Sequence, residues 1–197
     1  MTPSQALPFF EEEVVMEEKL DGANVTLWLD ANRIVQAATR GGTGALDRAG
    51  QLGPLRAWIG ARADNLRDLL EGNWVLYGEW LWLSHGTACR RLPDWLIGLD
   101  IWHSEIGFAT LTQRNRRLSG AGIVRPPEVA RGILRAASDL DVLMDRSAFG
   151  DEQPEGMMVR RFHAPESEQR IAKAIGSGYA RRTDEEWRRP VRNALAA

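Results

Sequence analysis

The sequence predicts an α+β fold. Two observations carry this expectation: short apolar runs, alternating or continuous, bounded by turn residues, and one long segment whose apolar residues recur at helical spacing. Periodicity alone does not separate one α+β sandwich from another.

Residues 1 to 13, with Pro3, Pro8 and the acidic run Glu11 to Glu13, read as an irregular lead-in. Val14 to Leu20 reads as a strand that delivers Lys19 near its end. Ala23 to Leu29 alternates, with Val25, Leu27 and Leu29 on one face, and Asp30-Ala31-Asn32 turns the chain into a third strand over Arg33 to Thr39. Gly22 lets the backbone turn sharply and approach a neighbour closely. Arg40-Gly41-Gly42-Thr43-Gly44 reads as a loop. From Pro54 to Glu71, Leu55, Trp58, Ile59, Leu66, Leu69 and Leu70 sit at helical spacing, with Pro near the start and Gly72 beyond the end, so a packing helix is expected.

Asn73 to Leu83 is an apolar strand interrupted by Gly78-Glu79. A carboxylate in such a run is costly unless something pairs with it, so Glu79 calls for a partner. Ser84 to Arg91 reads as a loop, with His85 as a surface histidine, and Trp95 to Trp102 as an apolar strand carrying Asp100. Gly107 to Val124 contains a short helix with Arg114, Arg116 and Arg117. Two more short helices are expected over Pro127 to Ala137 and Ser138 to Ala148, then a strand over Glu155 to Phe162. Pro165 to Ile175 reads as a helix with Glu166 and Glu168 in its first turn, and Thr183-Asp184-Glu185-Glu186 as the capped start of a last helix reaching Leu195.

Composition narrows the function classes. A chain of 197 residues, 44% hydrophobic and 26% charged, fits a single soluble domain over 1–197 with a substantial core, and eight Trp suggest that the core is rich in aromatics. No apolar run of membrane-spanning length and no secretion signal are present, so no membrane partner is expected. A lone Cys89 forms no intramolecular disulfide and fits a reducing cytoplasm; with three His, a zinc site is not expected. The net charge of −2 does not advertise nucleic-acid binding. Locally, however, Arg160, Arg161, Arg170, Lys173, Arg181, Arg182, Arg188, Arg189 and Arg192 crowd the C-terminal part, either as a salt-bridged surface or as a stripe that faces phosphate.

Lysine usage points to chemistry. Of 25 basic residues only Lys19 and Lys173 are lysine. Arginine serves wherever a fixed charge is enough, but it does not lose its proton, and a nucleophilic amine must. Lys19 lies in Glu17-Glu18-Lys19-Leu20-Asp21-Gly22-Ala23-Asn24, between two strands. Further segments follow in order: Thr39-Arg40-Gly41-Gly42, Leu76-Tyr77-Gly78-Glu79-Trp80-Leu81, Leu99-Asp100-Ile101 and Pro154-Glu155-Gly156-Met157-Met158-Val159-Arg160.

Lys-x-Asp-Gly-x-Asn and the segments after it resemble the motifs of the covalent nucleotidyltransferase superfamily. The stretch Gly78 to Trp102 most resembles its RNA ligase branch, and the likeness spans roughly Glu17 to Asn193. The resemblance implies antiparallel sheets forming an ATP cleft flanked by helices, in one adenylation domain without a C-terminal oligonucleotide-binding barrel. It implies Lys19, Glu155 and Lys173 as catalytic residues and Glu18, Asn24, Arg40, Glu79 and Leu99 as nucleotide contacts. Asp21, Glu79 and Glu155 would organise Mg²⁺, largely through water. Leu99 departs from the family, which places an aromatic ring there. Trp102, three residues on in the same strand, should point to the opposite face. The family's second basic residue after Lys173 is also missing, so either Arg181 or Arg182 takes that role or transfer to the α-phosphate is weakened.

The implied activity is ATP-dependent RNA ligation through a lysyl-AMP intermediate, joining 5′-phosphate and 3′-hydroxyl ends of RNA or of a nicked duplex in RNA repair. Many relatives carry a C-terminal module needed for sealing, so a partner protein or module is expected. A DNA nick ligase, a guanylyltransferase and a nucleotide- or nucleic-acid-binding module without turnover remain open alternatives. An unperturbed lysine titrates near about 10.4, so the amine needs cations nearby to become a nucleophile at neutral pH.

Overall fold

The computed structural model describes residues 8–42, 50–162, 170–176, 179 and 191–197. The α+β expectation holds: the chain forms two antiparallel sheets with a few short helices. It divides into two compact units, one of Met1–Asp21, Ser84–Leu92 and Pro126–Ala197, the other of Gly22–Leu83 and Pro93–Arg125.

The first unit contains helix α1 (Pro8–Glu11) and strand β1 (Val14–Lys19). In the second are β2 (Ala23–Leu29), β3 (Val35–Thr39), α2 (Leu55–Ala61), α3 (Ala63–Leu70), β4 (Trp74–Trp80), β5 (Leu96–His103), β6 (Gly107–Phe108) and α4 (Leu111–Gly120). The first unit resumes with β7 (Glu128–Gly132), α5 (Asp139–Leu143), β8 (Gly156–Arg161) and β9 (Ile171–Ile175).

The first unit's sheet has the order β7-β1-β8-β9. Its alternation is plain in the register. Val14, Met16, Met157, Val159, Ala172 and Ala174 share one face and pack with Phe9, Leu134, Leu140 and Met144 into a hydrophobic cluster. Val15, Glu17, Lys19, Met158, Arg160, Lys173 and Ile175 occupy the other.

The second unit's sheet has the order β3-β2-β4-β5-β6. Val25, Leu27, Ala37, Leu76, Trp80, Leu96 and Ile101 meet the buried residues Leu55, Trp58, Leu66, Leu69 and Leu70 of α2 and α3. The single helix expected over 54–71 is two, broken at Arg62. Its guanidinium lies 4.5 Å from the Trp58 ring and donates to Asp94 at 2.9 Å, an arrangement reached with a non-helical backbone.

Three expected helices differ. Residues 128–132 form β7, because pairing with β1 outweighs the intrinsic helix preference of Ala130 and Arg131. Residues 171–175 form β9: in Ile-Ala-Lys-Ala-Ile the two alanines alternate onto the apolar cluster, a period of two. The preceding 163–169 lie outside the described residues. Of the last helix, 183–190 lie outside them too, while 191–197 are not helical, with Leu195 bridging Leu92 and Asn193 accepting from the Cys89 N–H at 2.9 Å. The aromatic core is also thinner than composition suggests, since among the described residues Trp58 and Trp80 are the buried tryptophans and the others are partly exposed.

Candidate active site

Lys19 ends β1, a central strand whose neighbours β7 and β8 hold its backbone on both sides. Its side chain is 18% exposed, and Nζ donates to Glu155 Oε2. Glu155 is buried, one residue ahead of β8, and the register opposes Lys19 to Gly156. A Cβ at Gly156 would collide with the Ala174 carbonyl, so glycine is what lets β9 close against the strand beside Glu155. Lys173 is exposed on β9, opposite Met158, which pairs in turn with Glu17. Lys19, Glu17 and Lys173 thus share a face, and two strand spacings, about 10 Å, separate β1 from β9.

Other residues near Lys19 are fixed by the protein itself. Arg160 donates from Nε to Glu17 at 2.6 Å, with both side chains buried. Glu18 is 3% exposed; it accepts from Ser147 Oγ at 2.5 Å and from the Ala148 N–H at 2.8 Å. Burial pushes the Glu18 carboxyl above its ordinary range, although both hydrogen bonds pull the other way. Asp21 Oδ2 accepts from the Gly86 N–H at 2.5 Å and the Tyr179 hydroxyl at 2.7 Å, with His85 Nδ1 3.9 Å from its other oxygen. His85 is therefore no plain surface histidine: its side chain is 21% exposed and faces a carboxylate.

The phosphate-facing stripe needs correction at its start. Arg160 and Arg161, on opposite faces of β8, are buried ion-pair partners of Glu17 and of Glu12 respectively, so their charges are engaged within their own unit. Arg181, Arg182, Arg188 and Arg189 lie outside the described residues.

In the second unit Glu79 and Asn24 are cross-strand partners on β4 and β2. Glu79 Oε1 accepts the Gly22 N–H at 3.0 Å, the partner its apolar setting called for, and Asn24 Nδ2 donates to the Gly78 carbonyl at 3.4 Å. Gly22 is confined by its own protein: a Cβ there would stand 2.5 Å from the Trp80 carbonyl oxygen. Arg40 is exposed one position beyond Thr39, which pairs with Val25, at the end of the sheet where Asn24 and Glu79 pair.

Leu99 is the extra residue of a β-bulge. Asp100 pairs with Tyr77 and Gly98 with Gly78, so Leu99 and Asp100 together oppose Tyr77. Buried Arg114 of α4 donates from Nη1 to the Leu99 carbonyl at 3.0 Å and props the bulge. The helix is held by a Thr110–Gln113 capping box, a signal present in the sequence, whereas nothing there singled out Arg114. The bulge also overturns simple parity counting. Tyr77 pairs with Asp100 and Val75 with Trp102, so Asp100 and Trp102 share the face of Tyr77 and Glu79.

Among the described residues no group of three His, Cys, Asp or Glu is placed to hold a metal ion directly, and no helix is long and apolar enough to cross a membrane.

Comparison with known proteins agrees with this architecture. Among solved structures, the Naegleria gruberi RNA ligase with PPi superposes with a TM-score of 0.65 at 16% identity, over 88% of this chain and 53% of that one. A mutant of that ligase with ATP and Mn gives 0.66 at 16% identity, over 88% and 52%, and another with AMP and Mn gives 0.63 at 14%, over 88% and 52%. The chain thus spans about half the length of the structures it matches. No curated protein sequence matches. A sequence profile described as RNA ligase matches residues 12–175, from the lead-in to β1 through the last residue of β9, and on that match the chain belongs to the RNA ligase family.

Proposed function

We propose that the chain is an ATP-dependent RNA ligase, or the adenylation domain of one, with Lys19 as the nucleotide acceptor. The observation that carries this reading is the setting of Lys19: one of two lysines in the chain, at the end of a central strand, with Nζ on the buried carboxylate of Glu155 and on the same sheet face as Lys173.

Chemically, the Lys19 ammonium gives up a proton to solvent water and leaves Glu155. The amine attacks the α-phosphorus of ATP, a phosphoramidate N–P bond forms, and the bond to pyrophosphate breaks. AMP then passes to an RNA 5′-phosphate, freeing Lys19, and a 3′-hydroxyl displaces AMP to leave a phosphodiester. Lys173 steadies charge on the α-phosphate and Arg40 offers a bidentate phosphate contact. Glu79, Asn24 and Leu99 take the nucleoside side. Glu18 serves by fixing β1 to residues 147 and 148, since both its oxygens are engaged there.

Mg²⁺ fits this sparse carboxylate set, because the ion keeps much of its own water and leans on phosphates; Asp21, Glu79 and Glu155 would hold it through water. When bound it supplies positive charge that stabilises the leaving pyrophosphate. A reducing cytoplasm suits the single buried Cys89, and the length of the relatives motivates a further module or partner for end sealing.

The test uses α-labelled ATP with Mg²⁺, with GTP in parallel and a panel of single-stranded RNA, nicked RNA and nicked DNA. Covalent label with ATP, absent in Lys19→Ala, and joining of RNA ends are expected. ATP that raises the melting temperature but leaves no adduct would instead indicate a binding module without turnover.

A further inference from the structure

The second unit's sheet has a face that its core does not use. Along β4, Trp74, Leu76, Gly78 and Trp80 point to the helices, while Val75, Tyr77 and Glu79 point the other way. The same face carries Trp102, which pairs with Val75 and with Phe108, and its register reaches Trp28, one step past the Leu27–Leu76 pair. Trp28, Tyr77, Trp102 and Phe108 belong to neither hydrophobic cluster, unlike Trp74, Trp82 and Trp95, which pack against the core. Three are half-buried, and Phe108 is 41% exposed, its ring centroid 5.8 Å from that of Tyr77.

Large rings kept partly in solvent have a cost unless something lies on them. Two carboxylates, Glu79 and Asp100, share this face and, where no Mg²⁺ offsets their charge, would repel phosphates brought down to it. The chemistry therefore favours a flat, uncharged, aromatic ligand: an unpaired nucleobase whose sugar and phosphate point away. A sheet face with exposed aromatics is also the physical basis on which several RNA-binding modules stack single-stranded bases.

We propose that Trp102 and Phe108, extended by Tyr77 and Trp28, form a stacking platform for the unpaired bases of the RNA strand being joined. This rests on the ligase reading for the identity of the strand. It also gives a chain of net charge −2 a way to hold RNA that does not depend on a basic surface.

The test measures anisotropy of a labelled short oligoadenylate, and of an abasic strand of equal length, with the full chain. The base-bearing strand should bind at least about tenfold tighter than the abasic one. Phe108→Ala and Trp102→Ala should each weaken it by about fivefold to a hundredfold without changing the salt slope, and Trp102→Phe should recover most of the loss. Ile133→Ala, on the other unit, should bind as wild type. Equal binding of the abasic strand, or undiminished binding by both alanine variants, would overturn the platform. So would a Phe108→Ala protein that binds RNA normally but needs more ATP for labelling, because the ring would then serve the base of ATP. Failure of Lys19 labelling with stacking intact sinks the ligase reading alone.

Discussion

Lys19 Nζ donates to Glu155 Oε2, joining residues 136 positions apart in the chain. The pair holds the amine at one place and also ties it to a carboxylate that it must leave before it can attack. Glu155→Gln should therefore reveal which effect dominates. We expect positioning to dominate, with pyrophosphate release at saturating ATP falling at least about tenfold, because the ion pair becomes a weaker hydrogen bond to an uncharged amide oxygen. A faster rate would mean that Glu155 restrains the nucleophile rather than aiding it.

Gly22→Ala should lower stability by about 1–3 kcal/mol, since the new methyl meets the Trp80 carbonyl oxygen and the Leu81 side chain. Lys19 labelling should fall with it, because the Gly22 N–H no longer sits on Glu79. Urea melts alongside labelling rates check both effects.

Arg160→Met should cost about 3–5 kcal/mol by leaving Glu17 buried without its cation, while Glu17→Leu combined with Arg160→Met should recover most of that. Chemical denaturation of the two variants measures the difference. Equal losses would locate the cost in packing, not in charge.

Glu18 gives a pH signature. Its folded-state pKa is raised by burial, so the folded protein retains the proton to higher pH than the unfolded chain does. Its contribution is fully present below the unfolded value and is lost as pH rises through the folded one. Glu18→Gln removes this dependence, so the wild type should gain melting temperature relative to the variant as pH falls from neutral toward the ordinary glutamate range. A difference that is flat with pH, or that has the opposite slope, would contradict the burial effect.

Cys89 is buried, and desolvation, followed by the nearby charges of Glu18, Asp21 and Glu152, pushes its thiol up to about 12. Thiol reagents at pH 8 should label the native protein slowly and the urea-unfolded protein at the rate of a free cysteine. Rapid native labelling would show that the segment around Cys89 opens readily.

Strands β1 to β5 and β8 were legible because their periods and turn residues agree with where the chain is buried. The strands β7 and β9 were not, because Ala, Arg and Lys carry little strand preference and the pairing with β1 and β8 decides the outcome. The motif residues were named from their resemblance to the nucleotidyltransferase motifs. Their partners could not be named that way: Ser147 on Glu18, Tyr179 on Asp21 and Arg114 under the Leu99 bulge are tertiary contacts that no local pattern announces. The bulge itself shows the limit of counting by twos, since one inserted residue moved Trp102 onto the face of Tyr77.

The placement of β1 between β7 and β8 has a consequence for how the protein is made. All five strands of the second unit's sheet lie within residues 23–108 and can pair while synthesis continues. The strand that carries Lys19 emerges from the ribosome before any of them, yet its two neighbours arrive only with residues 128–132 and 156–161. It must wait, with Val14, Val15 and Met16 unpaired, until those residues are made, so capacity for adenylation should appear only after residue 161, and shorter nascent chains should be prone to aggregation at this strand.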